Sequence, residues 1–165
     1  MKTKPKVKEL NMFEKEELLS FENKRGAEFI EATIDSGASD SVANVNHAST
    51  CQVVPSSGSM EGVKYISASG NVIDNMGEKH VQVETINGKK RILNLQIADV
   101  TRVLLSVSKI CDAGNTVTFT QNGGKIVNTS TGEEDHFARQ DGVYRMKLRV
   151  IGDGSKTQGF TRPGM

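Results

Sequence analysis

Short runs of apolar and β-branched residues, separated by turn-forming residues, cover most of the chain from residue 27 onward. Runs of this length favour β-strands, because successive side chains of a strand point to opposite faces. The first run ends at Asp35-Ser36-Gly37, where a strand passes into a sharp turn. The pattern predicts strands over residues 29–34, 63–68, 72–74, 79–85, 89–100, 103–105, 116–120, 125–128, 136–138 and 143–150.

Turn signals lie between several of these runs and predict hairpins. Asn87-Gly88 is the strongest of them, because Asn and Gly tolerate the positive φ that a tight hairpin turn requires. The other predicted turns are Ser69-Gly70-Asn71, Gly123-Gly124, Thr131-Gly132 and Asp141-Gly142.

One segment has the character of a short core helix, over residues 106–113. Ser106 can serve as its N-cap, Val107 and Ile110 lie on one face, and Gly114 follows its end. The chain is therefore predicted to be all-β, a small closed barrel-like domain with one short helix.

The ends of the chain differ from the middle. Residues 1–25 carry alternating lysines and then a glutamate-rich patch, and we expect a flexible N-terminal arm. Residues 26–151 are predicted to form the folded domain. Residues 152–165 are rich in Gly, Ser, Lys, Thr and Pro, which favours a disordered C-terminal tail.

The overall charge of the chain is close to zero and gives no support to a function that depends on a strongly charged surface. The 21 Lys and Arg nearly balance the 20 Asp and Glu, so we expect no nucleic-acid partner for the folded domain. No apolar run approaches the length of a membrane helix, and we expect no signal peptide and no membrane partner. The two cysteines favour reduced thiols in an intracellular, cytoplasmic or nuclear protein.

Several kinds of site are excluded by the absence of their motifs. Ser36 lacks the Gly-x-Ser-x-Gly context of a nucleophilic serine. His47, His80 and His136 are scattered, so we expect no metal site. No phosphate-binding loop or dinucleotide fingerprint is present, and we expect no cofactor. On its own, Asp35 is equally consistent with an ordinary turn carboxylate.

Three segments together resemble one family. Asp35-Ser36-Gly37-Ala38-Ser39 resembles the active-site motif of retropepsins, the dimeric aspartic proteases of retroviruses and retrotransposons. Residues 103–110 and 124–144 are similar to the corresponding parts of copia-type retrotransposon proteases. The hairpin over residues 65–74 matches the position of the family's flap, and the resemblance covers roughly residues 27–150.

The resemblance implies an aspartic endopeptidase that cleaves an extended, polyprotein-like substrate. Each subunit of a homodimer would supply one Asp35, and the two carboxylates would share one proton and activate a water molecule between them. Ser36 would hydrogen-bond across the dimer axis, and Gly37 would let the backbone approach the substrate. The implied substrate-binding residues are Ala38, Asp40, Ser69, Gly70 and Asn71.

Two departures from the family pattern leave alternatives open. Ser106 stands where viral members have a glycine, and the hairpin lacks their multi-glycine tip. One alternative is a retropepsin-like dimerisation or peptide-binding module without catalysis. Another is a structural segment of a polyprotein precursor that works through RNA-bound partners via its lysine-rich arm.

Overall fold

The computed structural model describes residues 26–156. The predicted arm, residues 1–25, lies outside the described residues, and so does most of the predicted tail. The last strand continues to Asp153, and a 3-10 turn covers Gly154–Lys156, so the ordered chain extends past the predicted boundary at residue 152.

Eleven strands and two short α-helices make up this part of the chain. The helices are α1 (Ser57–Met60) and α2 (Val107–Asp112). The strands are β1 (Glu28–Asp35), β2 (Val42–Ala43), β3 (Lys64–Ile66), β4 (Val72–Asp74), β5 (Glu78–Glu84), β6 (Lys90–Ile97), β7 (Val103–Ser106), β8 (Asn115–Phe119), β9 (Gly123–Asn128), β10 (Glu134–Gln140) and β11 (Val143–Asp153).

Six strands close into a barrel, in the order β1-β7-β2-β6-β5-β11, with β11 pairing back to β1. The pairs β1–β7 and β2–β6 are parallel, whereas β1–β11 and β5–β6 are antiparallel. The fold is therefore all-β and barrel-like, as the alternation of apolar and polar residues predicts. The barrel interior is aliphatic, and its fully buried side chains include Ile30, Val81, Val83, Leu93, Leu95, Leu105, Ile110 and Leu148.

Strands β10, β9 and β8 extend the sheet beyond β11 and form a meander beside the barrel. A buried ion pair ties this meander to the barrel strand β6. The Arg91 guanidinium donates to both carboxylate oxygens of Asp135, at 2.8 and 3.0 Å, and also to Glu133 Oε1 at 3.0 Å. The bidentate geometry satisfies both buried charges and sets the position of β10 relative to the barrel.

The turn predicted at Gly123-Gly124 is wrong, because both glycines lie inside β9. The turn falls just before them, at residues 120–122. A Cβ on Gly124 would lie 2.4 Å from the Phe137 ring and 2.2 Å from the Thr118 carbonyl oxygen. These glycines are therefore required by close packing within the sheet. From the sequence alone, a glycine that packing requires cannot be distinguished from one that a turn requires.

Helix α2 and its N-cap Ser106 agree with the sequence prediction, whereas α1 lies in a segment assigned to a loop. Helix α1 is a single turn held by a capping box between Ser56 and Ser59. Neither of these helices is long and apolar enough to cross a membrane, within the residues that the structure describes.

Candidate active site

Asp35 is the last residue of β1 and lies opposite Ser106 in the parallel pair of β1 and β7. Its carboxylate is half-buried, and Oδ1 accepts a hydrogen bond of 2.7 Å from the backbone N–H of Gly37. This bond turns the chain sharply after the strand. The position of the carboxylate is thus determined by a barrel strand on one side and by its own turn on the other.

The loop after Asp35 is held against the end of β7 by Ser106, which is completely buried. The Ser106 hydroxyl donates to the carbonyl oxygen of Ala38 at 2.7 Å, and the Ser106 N–H donates to Ser41 Oγ at 2.9 Å. The same hydroxyl accepts from Lys109 N and so caps α2. The capping role of Ser106 is predictable from the sequence, whereas its contact with the Asp35 loop is not.

Strands β3 and β4 form a separate two-stranded hairpin that is not hydrogen-bonded to the barrel sheet through its strands. The turn at its tip is closed by Ser67, whose carbonyl oxygen accepts from Gly70 N at 2.9 Å. Gly70 adopts φ +91°, a conformation that other residues rarely adopt. The hairpin predicted around Ser69-Gly70-Asn71 is confirmed.

An open cavity of about 1000 Å³ lies between the Asp35 loop, the hairpin and the segment 99–104. Its size is in the range of sites that hold an extended peptide segment or a drug-sized ligand. Of the residues predicted for the site, the cavity brings together Asp35, Gly37, Ala38, Asp40, Ser69 and Asn71. Ser36 and Gly70 do not belong to its lining, and the Ser36 side chain is exposed.

The cavity also contains residues that sequence reasoning missed. Asp99 and Arg102 come from the connection between β6 and β7, which has no motif that would mark it. Tyr65 comes from β3, where its aromatic side chain is indistinguishable from an ordinary strand residue. The lining also includes apolar side chains: Val42, Ile66, Val72, Ile73, Val100 and Leu104.

Asp40 is the centre of a polar cluster at the edge of the cavity. Its Oδ2 accepts a hydrogen bond of 2.8 Å from the Tyr65 hydroxyl, and its Oδ1 lies 3.6 Å from Lys109 Nζ. Burial and the neighbouring Asp40 carboxylate raise the pKa of Tyr65 well above its usual range. Tyr65 therefore remains a protonated donor, and Asp40 is already engaged within the chain.

The cavity lining combines apolar and polar side chains and includes three carboxylates, Asp35, Asp40 and Asp99. A two-carboxylate mechanism needs a second acid close to the first. Asp40 already binds Tyr65 and Lys109, and Asp74 is paired with Lys64. Within residues 26–156, no group of three or more His, Cys, Asp and Glu side chains is arranged to hold a metal ion.

No protein family model matches the chain, and no curated protein or solved structure is significantly similar to it.

Proposed function

We propose that the chain is an aspartic endopeptidase that acts as a retropepsin-like homodimer on an extended, polyprotein-like peptide. The observation that carries the proposal is the cavity between the Asp35 loop and the β3–β4 hairpin. The sequence alone identified both segments, which face each other across one space although 25 residues separate Asp40 from Tyr65.

The geometry of the Asp35 loop supports a general acid–base role. Oδ1 of Asp35 accepts a hydrogen bond from the Gly37 N–H, which orients the carboxylate. In a pair of such carboxylates, one ionised group takes a proton from water while the protonated one donates to the peptide carbonyl oxygen. The chain carries a single Asp-Ser-Gly sequence, so the second carboxylate would come from a second copy related by a two-fold axis.

The walls of the cavity suit a peptide in extended conformation. The loop after Asp35 lies on one side, and the hairpin strands lie on the other. Apolar side chains such as Ile66 and Leu104 can contact substrate side chains, while Ser69 and Asn71 offer hydrogen-bonding groups. A hairpin over the cavity would restrict the access of bulk water during the reaction.

The test is incubation of the purified protein with a peptide library, with and without a statine-type transition-state analogue. We expect cleavage that the analogue inhibits and that Asp35→Asn abolishes. Asn retains an oxygen that can accept the Gly37 N–H, so the loop is preserved while proton transfer is lost. Asp99→Asn is the matched control, because it changes another cavity carboxylate and should leave cleavage detectable. Wild-type turnover by Asp35→Asn would refute the proposal.

A further inference from the structure

The β3–β4 hairpin has little apolar contact with the rest of the protein. None of its six strand residues is fully buried, and Ile66 and Val72 are 78% and 63% exposed. Its two strands pair only with each other among the strands of the described chain. The position of such an element depends on the few polar contacts that it makes, since apolar burial contributes little.

One of those contacts joins the hairpin to the opposite wall of the cavity. The Tyr65 hydroxyl donates to Asp40 Oδ2 at 2.8 Å and accepts from Asn75 Nδ2 at 3.0 Å. Asn75 is buried and also donates to Gln96 Oε1 at 2.9 Å, which lies on barrel strand β6. Tyr65 is therefore held from both sides, by the base of its own hairpin and by the Asp35 loop.

Asp40 is a firm anchor for this contact. It lies five residues after Asp35 on the same loop, and it pairs with Lys109 of α2. The next residue, Ser41, accepts the buried N–H of Ser106. A hydrogen bond to an ionised acceptor is stronger than one between neutral groups. The Tyr65–Asp40 bond thus connects a hairpin without buried strand residues to a loop that Ser106 holds against β7.

We propose that Tyr65 is a positioning residue, whose hydrogen bond to Asp40 is a latch that holds the hairpin over the Asp35 cavity. The idea that the latched cavity is catalytic rests on the proposed function, but the latch itself does not. Asp40, which the resemblance assigns to substrate contact, accepts the Tyr65 hydroxyl at Oδ2 in the latched state. The latch therefore joins the hairpin directly to the loop that carries Asp35.

Amide hydrogen exchange of the free protein tests the latch without any assay of activity. We expect Tyr65→Phe, which removes the hydrogen bonds to Asp40 and from Asn75, to accelerate exchange of the hairpin amides, residues 64–74, by at least about threefold to tenfold, the range that the loss of a single hydrogen bond implies. Exchange in the barrel strands should not change. Tyr144→Phe is the matched control: Tyr144 is the only other tyrosine, and its hydroxyl donates to the Thr120 carbonyl on the meander.

A double-mutant cycle distinguishes the loss of the specific Tyr65–Asp40 hydrogen bond from a general destabilisation of the hairpin. Asp40→Ala should also accelerate hairpin exchange, and the double variant should be no faster than Tyr65→Phe alone, because Tyr65→Phe has already removed the bond to Asp40. Asp40→Asn retains an acceptor oxygen and should restore much of the protection. Additive effects of the two single variants, or hairpin exchange of Tyr65→Phe equal to that of wild type, would overturn the latch.

The kinetic consequence distinguishes this proposal from the proposed function. If the protein cleaves peptides, Tyr65→Phe should raise KM about threefold to tenfold and change kcat little, because ordering the hairpin then opposes substrate binding. An unchanged KM would overturn the role of the latch in substrate binding. Accelerated hairpin exchange without any peptide cleavage by the wild type would support the latch and contradict the protease.

Discussion

The hydroxyl of Ser106 donates a hydrogen bond of 2.7 Å to the carbonyl oxygen of Ala38, although 68 residues separate them along the chain. Ser106 is completely buried, and its register partner across β1 and β7 is Asp35. The residue that departs from the glycine of viral retropepsins therefore supports the loop that carries the candidate catalytic carboxylate. This contact gives the departure a structural role.

The first prediction concerns this contact. Ser106→Ala leaves the Ala38 carbonyl without its donor and removes the N-cap of α2, so we expect a loss of about 2–4 kcal/mol in the free energy of unfolding. Ser108→Ala is the control, because that side chain is exposed and contacts only the Ser106 hydroxyl among the described hydrogen bonds. Urea denaturation measures both variants. Equal stability of Ser106→Ala and Ser108→Ala would contradict the role of Ser106.

The second prediction is that activity requires two chains. Specific activity should fall when the protein is diluted below the dissociation constant of the dimer, since each site would then lack one carboxylate. Inactive Asp35→Asn chains added in excess should suppress wild-type activity by forming mixed dimers. Sedimentation at the assay concentration identifies the active species, and a fully active monomer would refute the mechanism.

The third prediction is a bell-shaped dependence of the cleavage rate on pH, with its maximum on the acid side of neutral. Below the maximum both carboxylates of the pair become protonated, and neither can accept a proton from water. Above it both become ionised, and neither can donate to the peptide carbonyl. Initial rates at constant ionic strength measure the profile. A rate that rises continuously towards alkaline pH would indicate another mechanism.

The fourth prediction concerns the buried lysine of β5. Lys79 is 2% exposed, and its ammonium donates to the carbonyl oxygens of Val45, His47 and Ala48 at 2.8, 2.9 and 3.0 Å. Lys79→Met would leave these acceptors without the donor, so we expect a loss of about 3 kcal/mol in the free energy of unfolding. Thermal and urea denaturation test this expectation.

The control for that variant is Lys90→Met, which removes a positive charge from an exposed side chain and should change stability by less than about 0.5 kcal/mol. A stable Lys79→Met protein would show that water replaces the ammonium at the three carbonyl groups.

Local features of the structure followed from the sequence because they depend on neighbouring residues. The alternation of apolar and polar residues predicted the strands, and Asn87-Gly88 and Asp141-Gly142 predicted turns that the structure contains. Asp141 and Gly142 both adopt positive φ, at 53° and 78°. Asp35 at the end of a strand, and Ser106 at the start of a helix, were equally readable from their immediate context.

The sequence by itself thus determined the all-β class, most turns and the segment that carries the candidate acid, since side-chain alternation and backbone preference act over a few residues. Only the tertiary structure decided that Ser106 holds Ala38, that Tyr65 binds Asp40, and that Gly124 lies under Phe137. The first two contacts join residues 68 and 25 positions apart, and the third joins register partners on neighbouring strands β9 and β10. The closure of the barrel determines which polar groups meet. Strand pairing sets the distances between these residues, and no local sequence pattern encodes such distances.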